Sequence, residues 1–312
     1  MKNDKRHIAL SKATRLTSQY PMITGVDYGP ASKNGIQLKT FAIRFHVSQK
    51  LPPSEIKTHY ILPRKIDGIR CDVLEGNYST QSIPDYFCND IQPGISVGNA
   101  AFGTTGTVGP IVIDNITGRI GLLSCWHVLC GSVNAKPGDA IIQPGLALAG
   151  TNPLRETATL ERYLSLNLGY DAAFGLLDPG VTYKTFPWGI NAQITGVEEP
   201  RGGMRVLKVG ATTGTTFGVV DSHLTPGNFM LSYSAFGDGK RRMTAYKIVL
   251  AEDSNAEELT MEGDSGALWI CRDSGKAVAL NFAGEDGMGR NNEYSLAHSL
   301  PEILKLLNIK LA

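Results

Sequence analysis

From Gly94 onward, short apolar runs alternate with glycine-rich turns. ISVGN, GTVGPIVID, GLLSCWHVL, DAIIQPG, DAAFGLLD, AQITGV, RVLKVG, GVVDSHL, FMLSYSAFG, YKIVLA, GALWICRD and AVALNFAG follow one another at close intervals. Each run has the length of a strand and is bounded by residues that turn the chain. Many short strands at such spacing predict an all-β sandwich or barrel, with room for two barrels of similar size. The 35 glycines in 312 residues agree: the share exceeds the average of ~7% and fits many tight turns better than long helices. The closing EILKLLNIKL places apolar residues at helical spacing and predicts a C-terminal helix.

The first part of the chain has a different texture. Ile8, Ala9, Leu10, Ala13 and Leu16 recur at near-helical spacing, predicting a short amphipathic helix that Pro21 stops. Met22–Asp27 and Ile36–Val47 read as strands. In the second, Phe41, Ile43, Phe45 and Val47 alternate with Ala42, Arg44 and His46, the period of a half-buried strand. Pro52–Pro53 opens a helical turn through Ile61, and Ile69–Leu74 reads as a third strand. The order α-β-β-α-β predicts a small α+β domain over residues 1–80. Residues 81–93 are polar, contain two prolines and read as a linker to a domain over 94–312.

Composition excludes several classes. Lys and Arg number 30 against 29 Asp and Glu, a net charge of +1, so no overall field attracts nucleic acid or anionic lipid. A run of ~18 apolar residues, as a membrane span requires, does not occur. The first twenty residues lack the apolar stretch of ~7–15 residues of a secretory signal. Cys71, Cys88, Cys125, Cys130 and Cys271 are odd in number and form no C-x-x-C pair. Free thiols in a reducing cytoplasm are the expectation.

Three segments carry candidate chemistry. His127 lies in GLLSCWHVL, Asp171 opens the strand DAAFGLL, and Ser265 lies in MEGDSGALW. A serine hydroxyl is a poor nucleophile until a neighbouring base takes its proton. Histidine can do so near neutral pH, and a carboxylate can hold its tautomer and stabilise the imidazolium. The order His–Asp–Ser is that of the chymotrypsin-type double barrel among triad-bearing folds. Here the separations are 44 and 94 residues, against ~45 and ~93 in that template. Taken singly, each residue has a plain structural explanation: a packed histidine, a turn-capping aspartate, a serine in a β-turn. Other constellations fail. Gly263-Asp264-Ser265-Gly266-Ala267 does not fit the G-x-S-x-G elbow. Cys125, His127 and Cys130 lack a clear fourth metal ligand, so no metal and no cofactor is expected. The TTGTT segment lacks the Gly-Lys-Ser/Thr of a phosphate loop.

GDSGA resembles the GDSGG nucleophile motif of trypsin-like serine peptidases, SCWHVL their histidine motif, and DAAFGLL their aspartate strand. KVGATTGTTFGVV, residues 208–220, resembles a segment of bacterial and plant members with an N-terminal extension, the Narrow Leaf 1-type group above all. The resemblance covers about residues 94–300 and, more loosely, the first 80. The chain departs from the pattern at Trp126 and Ala267, and lacks the cysteine beside the histidine of secreted trypsins.

This likeness implies a mainly β fold, a chymotrypsin-like double β-barrel preceded by the small α+β domain and closed by a C-terminal helix. It implies a His127–Asp171–Ser265 triad and an oxyanion hole of the Gly263 and Ser265 N–H groups, where a side chain at Gly263 would obstruct the substrate carbonyl. It also implies a substrate pocket with Leu259 and Thr260 at its floor and Asn281, Phe282, Ala283 and Gly284 as one wall. Glu262 would lie on the rim, and Glu285 or Asp286 beyond the wall. No acid stands at the floor position, so small or medium apolar side chains are expected before the cleaved bond; Leu259 as plain core is the alternative. In secreted members the acid before the nucleophile pairs with a freshly cut N-terminus. Here Asp264 is expected to find a backbone amide or basic side chain within the intact chain.

The expected function is intracellular endopeptidase action on a protein or peptide, such as regulated cleavage of a dedicated target, a defence effector for instance. The N-terminal domain offers a place for a regulatory partner. The rival class is a non-catalytic protein-binding module on a protease scaffold.

Overall fold

The computed structural model describes all residues except 1–4, 34–35, 49, 52–54, 57–59, 77, 80–86, 191–192, 223–225, 237–238, 255, 257 and 286–292. Most of the helical turn expected after Pro52, most of the 81–93 linker before Phe87, and Asp286 fall outside the described residues.

The N-terminal segment forms α1 (Lys5–Arg15), β1 (Ile23–Lys33), β2 (Ile36–Val47), β3 (Lys65–Ile66) and β4 (Ile69–Glu75), followed by the short β5 (Tyr78–Ser79). Of the predicted stripe, Ile8 is exposed and Leu16 lies in the turn beyond the helix, while helix α1 buries Ala9, Leu10 and Ala13. Their core partners are Ile23, Val26, Tyr28, Ile43 and Phe45 of β1 and β2. Strand β1 runs beyond the expected Asp27, because its second half pairs along β2 from Tyr28↔Ile43 to Lys33↔Ile36.

The first β unit contains β6 (Ser96–Asn99), β7 (Gly106–Thr107), β8 (Ile111–Asp114), β9 (Ile120–Ser124), the one-turn helix α2 (Trp126–Leu129), β10 (Ala140–Gln143), β11 (Arg155–Tyr163) and β12 (Ala173–Leu177). The second contains β13 (Arg205–Gly210), β14 (Gly214–Val220), β15 (Gly227–Ser232), β16 (Lys240–Leu250), β17 (Leu268–Cys271), β18 (Ala277–Glu285) and β19 (Tyr294–Ser299). Helix α3 (Leu300–Leu307) and β20 (Ile309–Leu311) end the chain. In the AQITGV run, the described residues 193–197 form no strand; Val197 makes a single bridge to Ala277.

The first sheet has the order β20-β8-β9-β12-β11-β10-β6-β7. In the second, β14-β13-β17-β18-β19-β16 returns to β14 through the β14–β16 pairing and closes a ring. Beyond β16 the same sheet continues through β15, β1, β2, β4 and β3. The N-terminal segment is thus hydrogen-bonded edge to edge with the second barrel, at Gly25↔Phe229 and Val26↔Asn228. A buried ionic cluster reinforces the seam. Arg44 forks onto Asp27 and reaches Asp221 at 2.6 Å. Burial alone would raise the Asp27 carboxyl, but Arg44 and His46 outweigh it and hold it well below the usual carboxylate range.

The expected C-terminal helix forms, but it stops at Leu307. Ser299 caps its start by accepting from the Glu302 N–H at 3.3 Å. Asn308 ends it in the left-handed region, φ 53°. The last residues then pair as β20 with β8 of the first sheet, so the tail straps the second unit back onto the first.

Candidate active site

His127 sits in the single turn of α2, after β9 has crossed the first sheet. Asp171 lies just before β12, which pairs with β9 at Ala173↔Ser124. That pairing delivers both residues to the same sheet end. His127 Nδ1 and Asp171 Oδ2 are 2.6 Å apart, and the His127 backbone N–H donates to Asp171 Oδ1 at 3.1 Å. The carboxylate is wholly buried, and the imidazole is 15% exposed. Burial would raise the Asp171 carboxyl, but His127 and the surrounding donors outweigh it and lower it. An ionised acceptor on Nδ1 leaves Nε2 as the ring's basic nitrogen.

Ser265 comes from the second barrel, on the turn that leads into β17. Gly263 and Gly266 flank it with φ of 96° and 98°, a conformation that suits glycine. A Cβ on Gly266 would also fall 2.1 Å from both Ser124 Oγ and the Thr107 carbonyl. The first barrel thus presses directly on the turn. The Thr107 N–H donates to the Ser265 carbonyl at 2.7 Å, and Thr107 Oγ1 donates to the Gly263 carbonyl. Within the turn, Asp264 N–H donates to Met261 at 3.1 Å and Gly266 N–H to Asn281 at 2.7 Å. Among the described residues, the N–H groups of Gly263 and Ser265 have no such acceptor. The Ser265 hydroxyl, 1% exposed, donates to the Phe282 carbonyl at 3.3 Å. No hydrogen bond joins it to His127.

Asp264 is held inside the chain. Its carboxylate meets Lys208 Nζ at 2.7 Å, Thr213 Oγ1 at 2.6 Å, and the N–H groups of Thr212, Thr213 and Met261 at 3.0, 3.2 and 3.1 Å. Lys208 is wholly buried, and burial lowers its ammonium despite the partner. Lys208, Thr212 and Thr213 all lie in KVGATTGTTFGVV. A lysine between Leu207 and Val209 in an apolar strand was the available signal.

The expected pocket residues serve structural contacts. Leu259 is fully buried in the cluster containing Val206, Trp269 and Val278, the core alternative. Asn281 Nδ2 donates to Thr260 Oγ1 and to the Asp264 carbonyl, both at 3.1 Å. Its Oδ1 accepts from Trp269 Nε1 at 3.2 Å. Phe282 and Ala283 are buried, and Gly284 pairs with Ser79 of β5. An acid does stand behind the floor. Glu293 Oε2 accepts from the Leu259 N–H at 3.0 Å. Burial, with Glu258 and Glu285 nearby, pushes its carboxyl up to about 8.

Cys125 Sγ, a His127 ring nitrogen and an Asp171 oxygen lie within 4.8 Å of one another. His127 and Asp171 bind each other, and the Cys125 thiol donates to the Asn281 carbonyl at 3.2 Å. Burial pushes that thiol well above its ordinary range, so it stays protonated. These contacts fit a proton-handling pair better than a cation cage.

A histidine–carboxylate pair lies on one barrel and a glycine-flanked serine on another, and the fold that carries them is shared with solved proteases. Over 71% of this chain and 98% of its own length, Nocardiopsis protease superposes with a TM-score of 0.50 at 20% identity. A glutamic-acid-specific serine protease matches 71% of the chain and 100% of its own, at 0.51 and 15%. An α-lytic protease homologue matches 72% and 100%, at 0.50 and 16%. The chain has the chymotrypsin fold. No family model matches it, and no curated protein does. Relative to these chymotrypsin-fold neighbours, nearly all of whose length is covered, this chain carries additional residues.

Proposed function

We propose that the chain is a serine endopeptidase in which Ser265 is the nucleophile, His127 the general base and Asp171 the residue that orients it. The His127–Asp171 hydrogen bond of 2.6 Å carries the reading, because it prepares Nε2 to take a proton. In the reaction, Ser265 Oγ bonds to the substrate carbonyl carbon while its proton passes to His127 Nε2. The carbonyl oxygen becomes an oxyanion, met by the Gly263 and Ser265 N–H groups. The carbonyl then re-forms, the C–N bond breaks, and His127 returns the proton to the leaving amine. Water, deprotonated by His127, releases the acyl group and restores Ser265.

An extended peptide would meet the edge of β18 at Phe282 and Ala283, and β5, which pairs with Gly284 and Glu285, bounds that edge. Neither Leu259 nor Thr260 is an acid, which supports small or medium apolar residues before the cleaved bond. All five cysteines are free, which supports a reducing compartment and an intracellular role. No described helix is long and apolar enough to cross a membrane. The GDSGA and KVGATTGTTFGVV segments support kinship with Narrow Leaf 1-type peptidases, and the β1–β15 pairing would join a partner bound on the N-terminal segment to the barrel that carries Ser265.

The engagement of the Ser265 hydroxyl with Phe282 favours the second reading, a protein-binding module. Catalytic hydrogen bonds are often unformed without substrate, so labelling decides. A fluorophosphonate probe should label the wild-type protein and spare Ser265→Ala. Equal labelling of both, or of neither, would refute the enzyme.

A further inference from the structure

The Asp171 carboxylate is gripped from the second barrel as well as from its own. Tyr233, directly after β15, donates its hydroxyl to Asp171 Oδ2 at 2.8 Å, the same oxygen that meets His127. Its ring centroid lies 6.2 Å from that of His127. The Asp171 backbone N–H donates to His298 Nε2 at 2.9 Å, and His298 Nδ1 lies 2.7 Å from the Thr244 carbonyl of β16. Accepting at Nε2 requires the ring to carry its proton on Nδ1, which then donates to Thr244. The Thr244 N–H in turn donates to the Gly169 carbonyl at 2.8 Å. The His298 ring lies flat on Phe282, with centroids 3.8 Å apart and planes 13° apart. Phe282 is the residue whose carbonyl receives the Ser265 hydroxyl.

We propose that Tyr233 and His298 are positioning residues for the hydrolysis, locking Asp171 to the second barrel so that His127 faces Ser265 in one orientation. The inference rests on the endopeptidase reading. Its physical content is that the base and the nucleophile belong to different barrels. Thr107 already ties the Ser265 turn to the first barrel; the matching tie on Asp171 limits movement of Nε2 relative to Oγ, where a displacement of about 1 Å can cost on the order of 10²-fold in rate. Tyr233 and His298 place that anchor on the member that holds the base. Tyr233 also supplies Oδ2 with a second donor and quenches part of its charge.

The groups that face His127 and Asp171 hold their charge state across neutral pH. Burial, then the Asp171 charge, pushes the Tyr233 phenol well up. Burial raises the Cys125 and Cys130 thiols. His298 is pushed down to about 4 by burial. None of these neighbours changes charge between about pH 5 and pH 8. A change in the titration of His127 therefore reports on its coupling to Asp171.

Tyr233→Phe removes only the hydroxyl. The less-quenched carboxylate then favours the imidazolium more strongly. The His127 ring titration, followed by proton NMR and assigned with His127→Gln, should move to higher pH by several tenths of a unit. The acid limb of the pH–rate profile should move with it. The peptide kcat should fall on the order of tenfold with KM little changed, the scale of one hydrogen bond to a charged group. His298→Leu should lower kcat similarly, and His298→Gln, whose carbonyl can accept the Asp171 N–H, should recover part of the loss. If Tyr233→Phe does not fold, this His298 pair carries the test alone. An unmoved His127 titration in folded Tyr233→Phe, or equal kcat in the two His298 variants, overturns the proposal. Failure of the endopeptidase reading would show separately, as wild-type protein that the fluorophosphonate does not label, while the NMR titration still tests the coupling.

Discussion

The Lys208 ammonium lies 2.7 Å from Asp264 Oδ2 with both side chains wholly buried, one residue before the serine at the barrel interface. The pair, with the Thr213 hydroxyl and three backbone N–H groups, satisfies an acid that would otherwise be a costly buried charge. Lys208→Met leaves that charge with neutral donors only. Breaking a buried pair from one side costs about 3–5 kcal/mol, so chemical denaturation should show a loss on that scale, with slower fluorophosphonate labelling as the Gly263–Gly266 turn loosens.

The same contacts make trimming unnecessary. The full 312-residue chain should turn over peptide without cleavage before Gly94. Mass spectrometry of the active species beside a turnover assay checks this. Activity confined to trimmed molecules would show that Lys208 does not replace a new N-terminus.

Ser265→Ala and His127→Ala should each lower kcat by several orders of magnitude and leave the fold intact. Asp171→Asn should cost on the order of 10⁴, because the amide no longer selects the productive tautomer of His127. Chelators should leave turnover unchanged. Near wild-type turnover in Asp171→Asn would remove that residue from the mechanism.

Acid should destabilise the protein before its carboxylates protonate. His46 and His298 are wholly buried, and burial lowers both from 6.5 to about 4. Unfolding exposes them, so between about pH 6.5 and pH 4 the unfolded chain binds protons that the folded chain refuses. The two histidines' contribution is therefore complete above about 6.5 and is lost as pH falls toward 4, by on the order of 3 kcal/mol per histidine, while Glu293, raised by burial, gains stability over the same fall and offsets part of that loss. A melting temperature that falls as steeply from pH 7 to pH 4.5 in His298→Gln as in the wild type would contradict the burial of His298.

The N-terminal segment should unfold together with the second barrel. Arg44 joins Asp27 on β1 to Asp221 beyond β14. Arg44→Met removes the guanidinium shared by Asp27 and Asp221, leaving Asp27 with His46 and Ser222 and Asp221 with Lys247 at 3.9 Å, and should cost about 3–5 kcal/mol. Circular dichroism and tryptophan fluorescence should still report one shared transition. Separate transitions would mean that the segment is an independent domain.

Much of this molecule was legible along the chain. Glycine-bounded apolar runs predict short strands, because strand length and turn residues are local properties. Gly263-Asp264-Ser265-Gly266 and the His127–Asp171–Ser265 spacing point to the site, because the chemistry needs particular side chains at strand ends. The reading faltered where identity depends on a distant partner. Leu259 reads equally as pocket or core until Trp269 and Val206 close over it. Lys208 meets Asp264 across 56 residues, Tyr233 meets Asp171 across 62, and His298 meets Asp171 across 127. No periodicity encodes such pairings; they arise when two barrels bring separate strands together and exclude water from the polar groups between them. The seam between β1 and β15 has the same origin. An edge strand advertises unpaired backbone groups but not the strand that will cover them, and only the tertiary structure decided that the N-terminal segment would do so.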